Sequence, residues 1–337
     1  MLTDPHLDST SSLLPHDFLT IRYQLRQYTM DTTQGFPQSR QNVKYSPAST
    51  LNTLDYYIPR RPSTAAHQLW IIYIHGGAWR DPEIDSTSFL PTQTLLSQSR
   101  AIDQIAGFAS INYRLSPYPS HPRCPSSPSD PARNAHHPDH LTDTLAALRH
   151  LQDAFGFGTR YLLVGHSCGA TLAFQAAMMH HHHSSSPITP PLALLAVEGL
   201  YDLPALVANH ADAPAYQNLV TNAFGPDPSD WAAASPAIAL QHSLPSPSSS
   251  RHQPLPQPQL IALAHSRQDE LVEWQQVDLM HAALKKAAGF DEVEGEAGRR
   301  LKLIELHGGH DEVWREHGGG ELARAVGEVL QVVRRMG

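Results

Sequence analysis

Residues 161–173 read YLLVGHSCGATLA, and this stretch decides the fold. A short apolar strand runs into GHSCG at 165–169, and a helix of small residues follows. Such a tight strand-to-helix turn needs small residues two positions before and two after its apex, where Gly165 and Gly169 stand. The G-x-S-x-G pattern in this context predicts a nucleophile elbow that presents Ser167 above the edge of a sheet.

Outside this stretch, strands and helices alternate along the chain. Short apolar runs typical of strands buried on both faces occur at 68–74, 107–113, 161–164, 192–197, 259–264 and 301–306. Helical spacing of apolar or small residues follows at 139–155, 168–179, 271–288 and 321–336. The alternation predicts an α/β fold with a mostly parallel, doubly wound sheet flanked by helices and no large separate cap domain.

The domain organisation is predicted from composition. We expect a weakly patterned N-terminal segment over 1–45 and a single domain over 46–337. Low-complexity inserts rich in Pro, Ser and His interrupt it near 116–138, 180–191 and 242–258, and surface loops are expected there. These inserts hold about half of the 22 histidines and many of the 28 prolines, so the high counts do not by themselves indicate a metal protein.

Charge and cysteine content exclude several classes of protein. A formal net charge of −8 leaves no basic footprint for nucleic acid. The 2 cysteines cannot form a disulfide scaffold or a four-cysteine zinc site. The N-terminus lacks a secretory signal and no long apolar stretch is present, so we expect a soluble, cytoplasmic protein without a membrane partner.

Two residues beside Ser167 offer alternatives to it. Cys168 stands in the first helical turn, where a thiol pKa can fall, but the elbow presents Ser167, so Cys168 is expected to contribute its backbone amide to an oxyanion hole. His166 is expected not to be the base, since neighbouring side chains on a tight turn diverge.

Histidines 136, 137 and 140, or 180–183, could instead hold a metal, although Pro138 argues against one regular helix there.

The strand at 68–74 ends in HGGAW, which comprises His75, Gly76, Gly77, Ala78 and Trp79. Glycines after a strand let backbone amides approach a ligand closely. We expect Gly77 to supply the second oxyanion donor, with Gly76 and Ala78 as neighbouring candidates. His75 is expected to brace the loop, while Trp79 either lines the substrate site or packs in the core.

The base and its acidic partner are expected in two late loops, because the chain order on this fold is Ser, acid, His. Asp269 follows the strand at 259–264 and fits the acid best, with Glu270 as the fallback. His310 lies deeper in the loop after 301–306 than His307 and is the better candidate for the base.

The chain resembles the fungal kynurenine formamidases (arylformamidases) of the α/β-hydrolase superfamily. The matching segments are HGGAW at 75–79, INYRLSP at 111–117, DHLTDTLAALRHLQ at 139–152, GHSCGA at 165–170, GLYDL at 199–203, SRQDELV at 266–272 and GHDEVW at 309–314. The resemblance implies hydrolysis of N-formyl-L-kynurenine to L-kynurenine and formate in tryptophan catabolism towards NAD. It also implies a homodimer, no metal and no cofactor.

Two alternatives share this fold. A general carboxylesterase or lipase-like hydrolase would use the same Ser167, Asp269 and His310, and a non-enzymatic binding protein would leave Ser167 unreactive. Arg80 and Glu198 could contact the amino-acid head group of the substrate, but both are expected to be ordinary surface or loop charges.

Overall fold

A mixed sheet forms the centre of the molecule in the computed structural model, which describes residues 35–61, 68–179, 188–242, 258–286, 290–292, 299–315 and 320–336. Its strands within these ranges are β1 (Gln38–Lys44), β2 (Thr53–Ile58), β3 (Leu69–Ile74), β4 (Ile105–Ile111), β5 (Tyr161–His166), β6 (Ala193–Val197), β7 (Leu260–Ser266), β8 (Phe290–Glu292) and β9 (Arg299–Leu306). They lie in the order β1-β2-β4-β3-β5-β6-β7-β9-β8. Only the pairs β1–β2 and β2–β4 are antiparallel among the described strands.

The helices that follow the strands are α1 (Leu90–Gln98), α2 (Asp139–Phe155), α3 (Cys168–Met179), α4 (Leu203–Asn209), α5 (Pro214–Phe224), α6 (Pro228–Ala234), α7 (Pro236–His242), α8 (Gln275–Lys286) and α9 (Glu321–Met336). Helices α4 to α7 fill the connection between β6 and β7, and the described residues contain no separate cap domain. Within the same ranges, no helix combines the length and apolar character needed to cross a bilayer.

Two apolar layers cover the sheet, one on each face. Alternate residues of β3 point to opposite sides: Ile72 and Ile74 join one layer, and Ile71 and Tyr73 join the other. Helices α2, α3 and α8 contribute to the first layer, and α1 and α9 to the second. Burial on both faces explains why the central strands read as continuous apolar runs. The sheet is therefore the doubly wound α/β-hydrolase sheet that the sequence predicts.

Agreement with the predicted elements is closest where the apolar pattern is strong. The six predicted strands are present, and the observed helices 139–155, 168–179 and 321–336 have the predicted bounds. The sequence pattern does not predict strands β1, β2 and β8, helix α1 or helices α4 to α7. Strand β1 lies within 1–45 and exposes most of its side chains, so it carries no apolar signal.

The three predicted inserts differ in how far they can be described. Residues 180–187 and 243–257 lie outside the described ranges. The 116–138 segment contains a short 3-10 helix at Pro131–Arg133 and buries Ser116, His121 and Ala135. This Pro-rich segment therefore packs against the domain, at the end of the sheet where β4 finishes.

Candidate active site

The turn between β5 and α3 has the geometry of a nucleophile elbow. A Cβ added to Gly165 would lie 2.2 Å from the carbonyl oxygen of Gly169, and one added to Gly169 would lie 2.2 Å from that of Ile74. Ser167 adopts a left-handed backbone conformation with φ 55°, which is strained for a residue with a side chain. Its amide donates to the Val197 carbonyl at 2.8 Å, which fixes the turn to β6.

His310 and Asp269 form a buried hydrogen-bonded pair. His310 Nδ1 lies 2.8 Å from Asp269 Oδ2, and the other carboxylate oxygen accepts the amides of Leu271 and Val272 at 2.9 and 2.8 Å. Burial alone would raise the pKa of Asp269, but the His310 contact and these two amides outweigh it, so the pKa is lowered. An ionised Asp269 holds the proton of His310 on Nδ1 and leaves Nε2 free to accept a proton.

The alternative base, His307, and the alternative acid, Glu270, do not take part in the His310–Asp269 pair. The His307 side chain is 75% exposed, and its Nδ1 lies 3.3 Å from Glu321 Oε2 on α9. Glu270 accepts the backbone amide of His310 at 3.0 Å, so it supports the loop and does not touch the imidazole. Of the two carboxylates, Asp269 is the one placed to orient the imidazole of His310.

The HGGAW loop lies directly against the elbow. Gly77, Ala78 and Trp79 have φ values of 89°, 49° and 59°, a run of left-handed residues that curls the chain back. A Cβ on Gly76 would lie 2.8 Å from His166 Nδ1 and 3.1 Å from the Ser167 Cβ, so only glycine allows this approach. No backbone acceptor among the described residues is found for the amides of Gly76 and Gly77.

Cys168 contacts the same loop through its thiol. Its Sγ accepts the Trp79 amide at 3.2 Å, and the Ala78 amide also faces this sulfur. Burial raises the pKa of Cys168 to about 11, so the thiol stays protonated and is a poor nucleophile at neutral pH. Tyr113, which the sequence reasoning did not single out, donates its hydroxyl to the carbonyls of His75 and Gly76 at 3.0 and 3.1 Å.

His75 and Trp79 have structural surroundings. The His75 ring stacks on Tyr113 at 4.4 Å, and its Nδ1 donates to the Gly76 carbonyl at 2.9 Å. Burial lowers the pKa of His75 to about 4, so it is neutral and braces the loop. Trp79 is fully buried and meets the Phe224 ring edge-on at 4.9 Å, which is a core contact.

The expectation that Glu198 is an ordinary surface or loop charge is wrong. Its side chain has 0% exposure, and its Oε2 lies 3.3 Å from His166 Nε2 and 3.7 Å from His310 Nδ1. His166 Nε2 also donates to the His310 carbonyl at 3.0 Å, so His166 ties the elbow to the loop of the base. A single acidic residue after a buried strand gave no sequence signal for this position. Glu198 has φ 49°, a strained conformation of the kind that collects at functional sites.

The same expectation is wrong for Arg80, which is only 7% exposed. His265, at the end of β7, is a further site residue that was not expected from the sequence. Its Nε2 donates to the Val272 carbonyl at 2.8 Å and lies 3.5 Å from Asp269 Oδ2. His265 therefore holds the loop that carries the carboxylate, and its position directly after an apolar run was the available signal.

Possible metal ligands occur in two places among the described residues, and neither includes the histidines that the sequence offers as an alternative metal site. The first consists of His166, Glu198 and His310, and the second of Asp81, Glu83 and His121. The ring nitrogens that the first group would offer already contact the His310 carbonyl and Asp269, which favours a hydrogen-bond network. His140 Nε2 contacts Ser116 Oγ at 3.0 Å, and 180–183 lie outside the described residues.

The chain is similar in sequence to fungal proteins named kynurenine formamidase or kynurenine formamidase-like hydrolase. The chain is 40% identical over 277 residues to a kynurenine formamidase-like hydrolase of Fusarium equiseti, covering 81% of this chain and 87% of the relative. It is 34% identical to a kynurenine formamidase of Aspergillus versicolor, covering 75% and 86%. A kynurenine formamidase of Meyerozyma guilliermondii is 30% identical, with 75% and 82% covered. No family model matches the chain.

Solved structures with the same architecture include esterases. Esterase B from Lactobacillus Rhamnosis superposes with a TM-score of 0.59 at 16% identity, covering 95% of this chain and 93% of the other. A carbohydrate esterase from gut microbiota gives 0.55 at 18% identity, covering 90% and 100%. At this identity the likeness concerns the fold alone. Fold and relatives together establish that the chain is a member of the kynurenine formamidase family of α/β-hydrolases.

Proposed function

We propose that the protein hydrolyses N-formyl-L-kynurenine to L-kynurenine and formate, with Ser167, His310 and Asp269 as a catalytic triad. The observation that carries the proposal is the buried His310–Asp269 pair at 2.8 Å, in a loop that His166 joins to the elbow of Ser167. Membership of the kynurenine formamidase family supports the choice of a formamide as substrate.

In the first half of the reaction, His310 Nε2 takes the proton of Ser167 as Oγ attacks the formyl carbon. The carbonyl oxygen becomes an oxyanion, which the amides of Cys168 and Gly77 stabilise at the N-terminus of α3, with Gly76 beside them. The Ala78 amide faces the Cys168 sulfur instead. Asp269 holds the imidazole tautomer and stabilises the imidazolium. The C–N bond then breaks as His310 gives its proton to the departing aniline nitrogen, which leaves Ser167 formylated.

In the second half, water attacks the formyl ester. His310 takes one proton from the water and gives it to Ser167 Oγ as the ester C–O bond breaks. The formic acid that leaves ionises to formate and releases the second proton of the water. A formyl carbon carries only hydrogen, so the acyl side of the site needs little space. An aniline is a better leaving group than an alkyl amine, and this lowers the barrier to breaking the C–N bond.

From the family we also propose the metabolic pathway and the oligomeric state of this protein. The product would enter the kynurenine pathway of tryptophan catabolism towards NAD, and the protein would be a homodimer. Sedimentation velocity at micromolar concentration measures the second point directly, since a monomer would contradict it.

The proposed function is tested by turnover of two substrates under identical conditions. N-formyl-L-kynurenine should be hydrolysed with stoichiometric formate, and with a higher kcat/KM than short p-nitrophenyl esters. Hydrolysis of the esters alone would favour a general carboxylesterase that uses the same triad. If neither is cleaved and a fluorophosphonate fails to label Ser167, the protein is a binding protein on a hydrolase fold.

A further inference from the structure

Arg80 is a buried cation at the end of the HGGAW loop. Its side chain is only 7% exposed, and its amide donates to the Gly77 carbonyl at 2.9 Å within the tight turn of this loop. The preceding residue, Trp79, donates its amide to Cys168 Sγ beside the elbow. Arg80 is therefore held in place by the same loop that borders Ser167.

No carboxylate pairs with Arg80 among the residues that the structure describes. Its Nη1 donates to the neutral amide oxygen of Asn218 at 2.7 Å, and its guanidinium lies 4.1 Å from the centre of the Tyr118 ring. The neighbouring Asp81 faces His121, with Oδ1 3.4 Å from His121 Nε2. Other arginines close in sequence are paired: Arg114 with Asp139 and Asp143, and Arg123 with Glu83.

An unpaired buried cation is unfavourable unless something else compensates its charge. Burial lowers the pKa of Arg80, yet a guanidinium stays protonated at neutral pH. It carries five N–H donors, of which Asn218 satisfies one at Nη1. Its Nε and Nη2 have no acceptor among the described residues, and neither belongs to the fully buried side-chain atoms that lack a partner. Both atoms therefore keep some solvent-accessible surface. Free donors in a fixed plane are what a carboxylate binds in a bidentate manner.

The position of Arg80 is on the substrate side of the sheet. Arg80 follows β3, Tyr118 follows β4 and Asn218 lies on α5 after β6, so all three stand beyond the carboxyl ends of the strands. Ser167 lies at the same edge, at the end of β5. Ligands of open α/β sheets bind in the crevice outside these ends.

We propose that Arg80 binds the carboxylate of the amino-acid head group of the substrate and so selects formanilides that carry a carboxylate. Tyr118 and Asn218 are positioning residues, since stacking and one hydrogen bond fix the plane of the guanidinium. The identity of the ligand rests on the proposed function, whereas the existence of a carboxylate site beside the elbow does not.

The turnover test compares N-formyl-L-kynurenine with its decarboxylated analogue, which keeps the formanilide and the amine. In Arg80→Gln, KM for the carboxylate substrate should rise about 10- to 100-fold, the effect of losing a hydrogen bond to a charged group, with a smaller change in kcat. The analogue should lose much less, so the ratio of the two kcat/KM values falls. Arg123→Gln removes an exposed neighbouring arginine and should leave this ratio unchanged. Equal losses on both substrates would overturn the proposal and make Arg80 a support of the loop.

An inhibition test does not depend on formamidase turnover. With a p-nitrophenyl ester as reporter, L-kynurenine should inhibit the wild type about 10- to 100-fold more strongly than its decarboxylated counterpart. Arg80→Gln should abolish this preference, and Arg80→Lys should restore only part of it, because an ammonium lacks the planar fork. Equal inhibition of the wild type by both compounds would refute the carboxylate site, whereas ester cleavage with no formamide cleavage would refute only the proposed function.

Discussion

Replacing Glu198 by glutamine should stabilise the protein at neutral pH, and the gain should increase as the pH rises. The Glu198 carboxyl has 0% exposure, and its Oε1 has no hydrogen-bond partner. Burial raises the pKa of Glu198 from 4.5 to about 9. The charge of His310 opposes this rise, as does the Ser266 amide, and Asp269 and Glu270 add to it.

The direction of this pH dependence follows from the number of protons bound to the folded protein and to the unfolded chain. Between pH 4.5 and about 9 the folded protein keeps a proton on Glu198 that the unfolded chain has released. The stability that this proton gives the folded protein is fully present below pH 4.5. It falls by about 1.4 kcal/mol per pH unit as the pH rises towards the pKa of Glu198 in the folded protein, which is about 9. Glutamine has no proton to release. The difference in unfolding free energy between Glu198→Gln and the wild type should therefore grow by about 3 kcal/mol from pH 6 to pH 8.

Urea denaturation at pH 6, 7 and 8 measures this difference, with equal m values as the condition for comparing the two proteins. The control is Glu305→Gln, which removes a carboxylate whose side chain is 55% exposed and should show no such growth. Parallel pH dependences for Glu198→Gln and the wild type would refute the reasoning. Glu198 would then be ionised in the folded protein, with its charge compensated by a protonated His166.

Five substitutions test the remaining site assignments. His310→Ala should lower kcat by several orders of magnitude, while His307→Ala should stay within a few-fold of wild type because that side chain is 75% exposed; a reversed ranking would exchange their roles. Asp269→Asn should lower kcat about 10⁴-fold by favouring the wrong tautomer, and near-normal turnover would dismiss it as the orienting group. Gly76→Ala places a Cβ 2.8 Å from a ring nitrogen of the elbow and should reduce kcat, whereas Gly327→Ala, with nothing within 4 Å, should not; equal kcat values would exclude this loop from the site.

The sequence predicts those elements whose residues are buried on both faces or repeat at helical spacing. The bounds of 139–155 and 168–179 are reproduced because their apolar or small residues pack directly on the sheet. Among the described strands, β1 pairs only with β2 at the edge of the sheet, and it has one buried residue, so no alternation of apolar residues marks it. Helices α4 to α7 are short and begin with or near proline, which the pattern does not distinguish from a loop.

The site is predictable where a motif requires a particular backbone. A Cβ at Gly165 or Gly169 would lie 2.2 Å from a backbone oxygen, so the turn requires glycine at both positions. The two glycines around Ser167 therefore reveal the turn in the sequence. Burial of charge is not visible there, because Glu198 and Arg80 are single charged residues whose surroundings come from distant parts of the chain. Arg80 meets Asn218 across 138 positions, and Glu198 meets His310 across a comparable distance in sequence.

Release of formate from N-formyl-L-kynurenine by the wild type and by Ser167→Ala tests most directly whether Ser167 is the nucleophile of a formamidase. We expect rapid, stoichiometric formate release by the wild type and a loss in kcat on the order of 10⁴- to 10⁶-fold in the variant. Circular dichroism should show the same fold for both proteins. Formate release by a folded Ser167→Ala protein at a rate near that of the wild type would show that Ser167 is not the nucleophile.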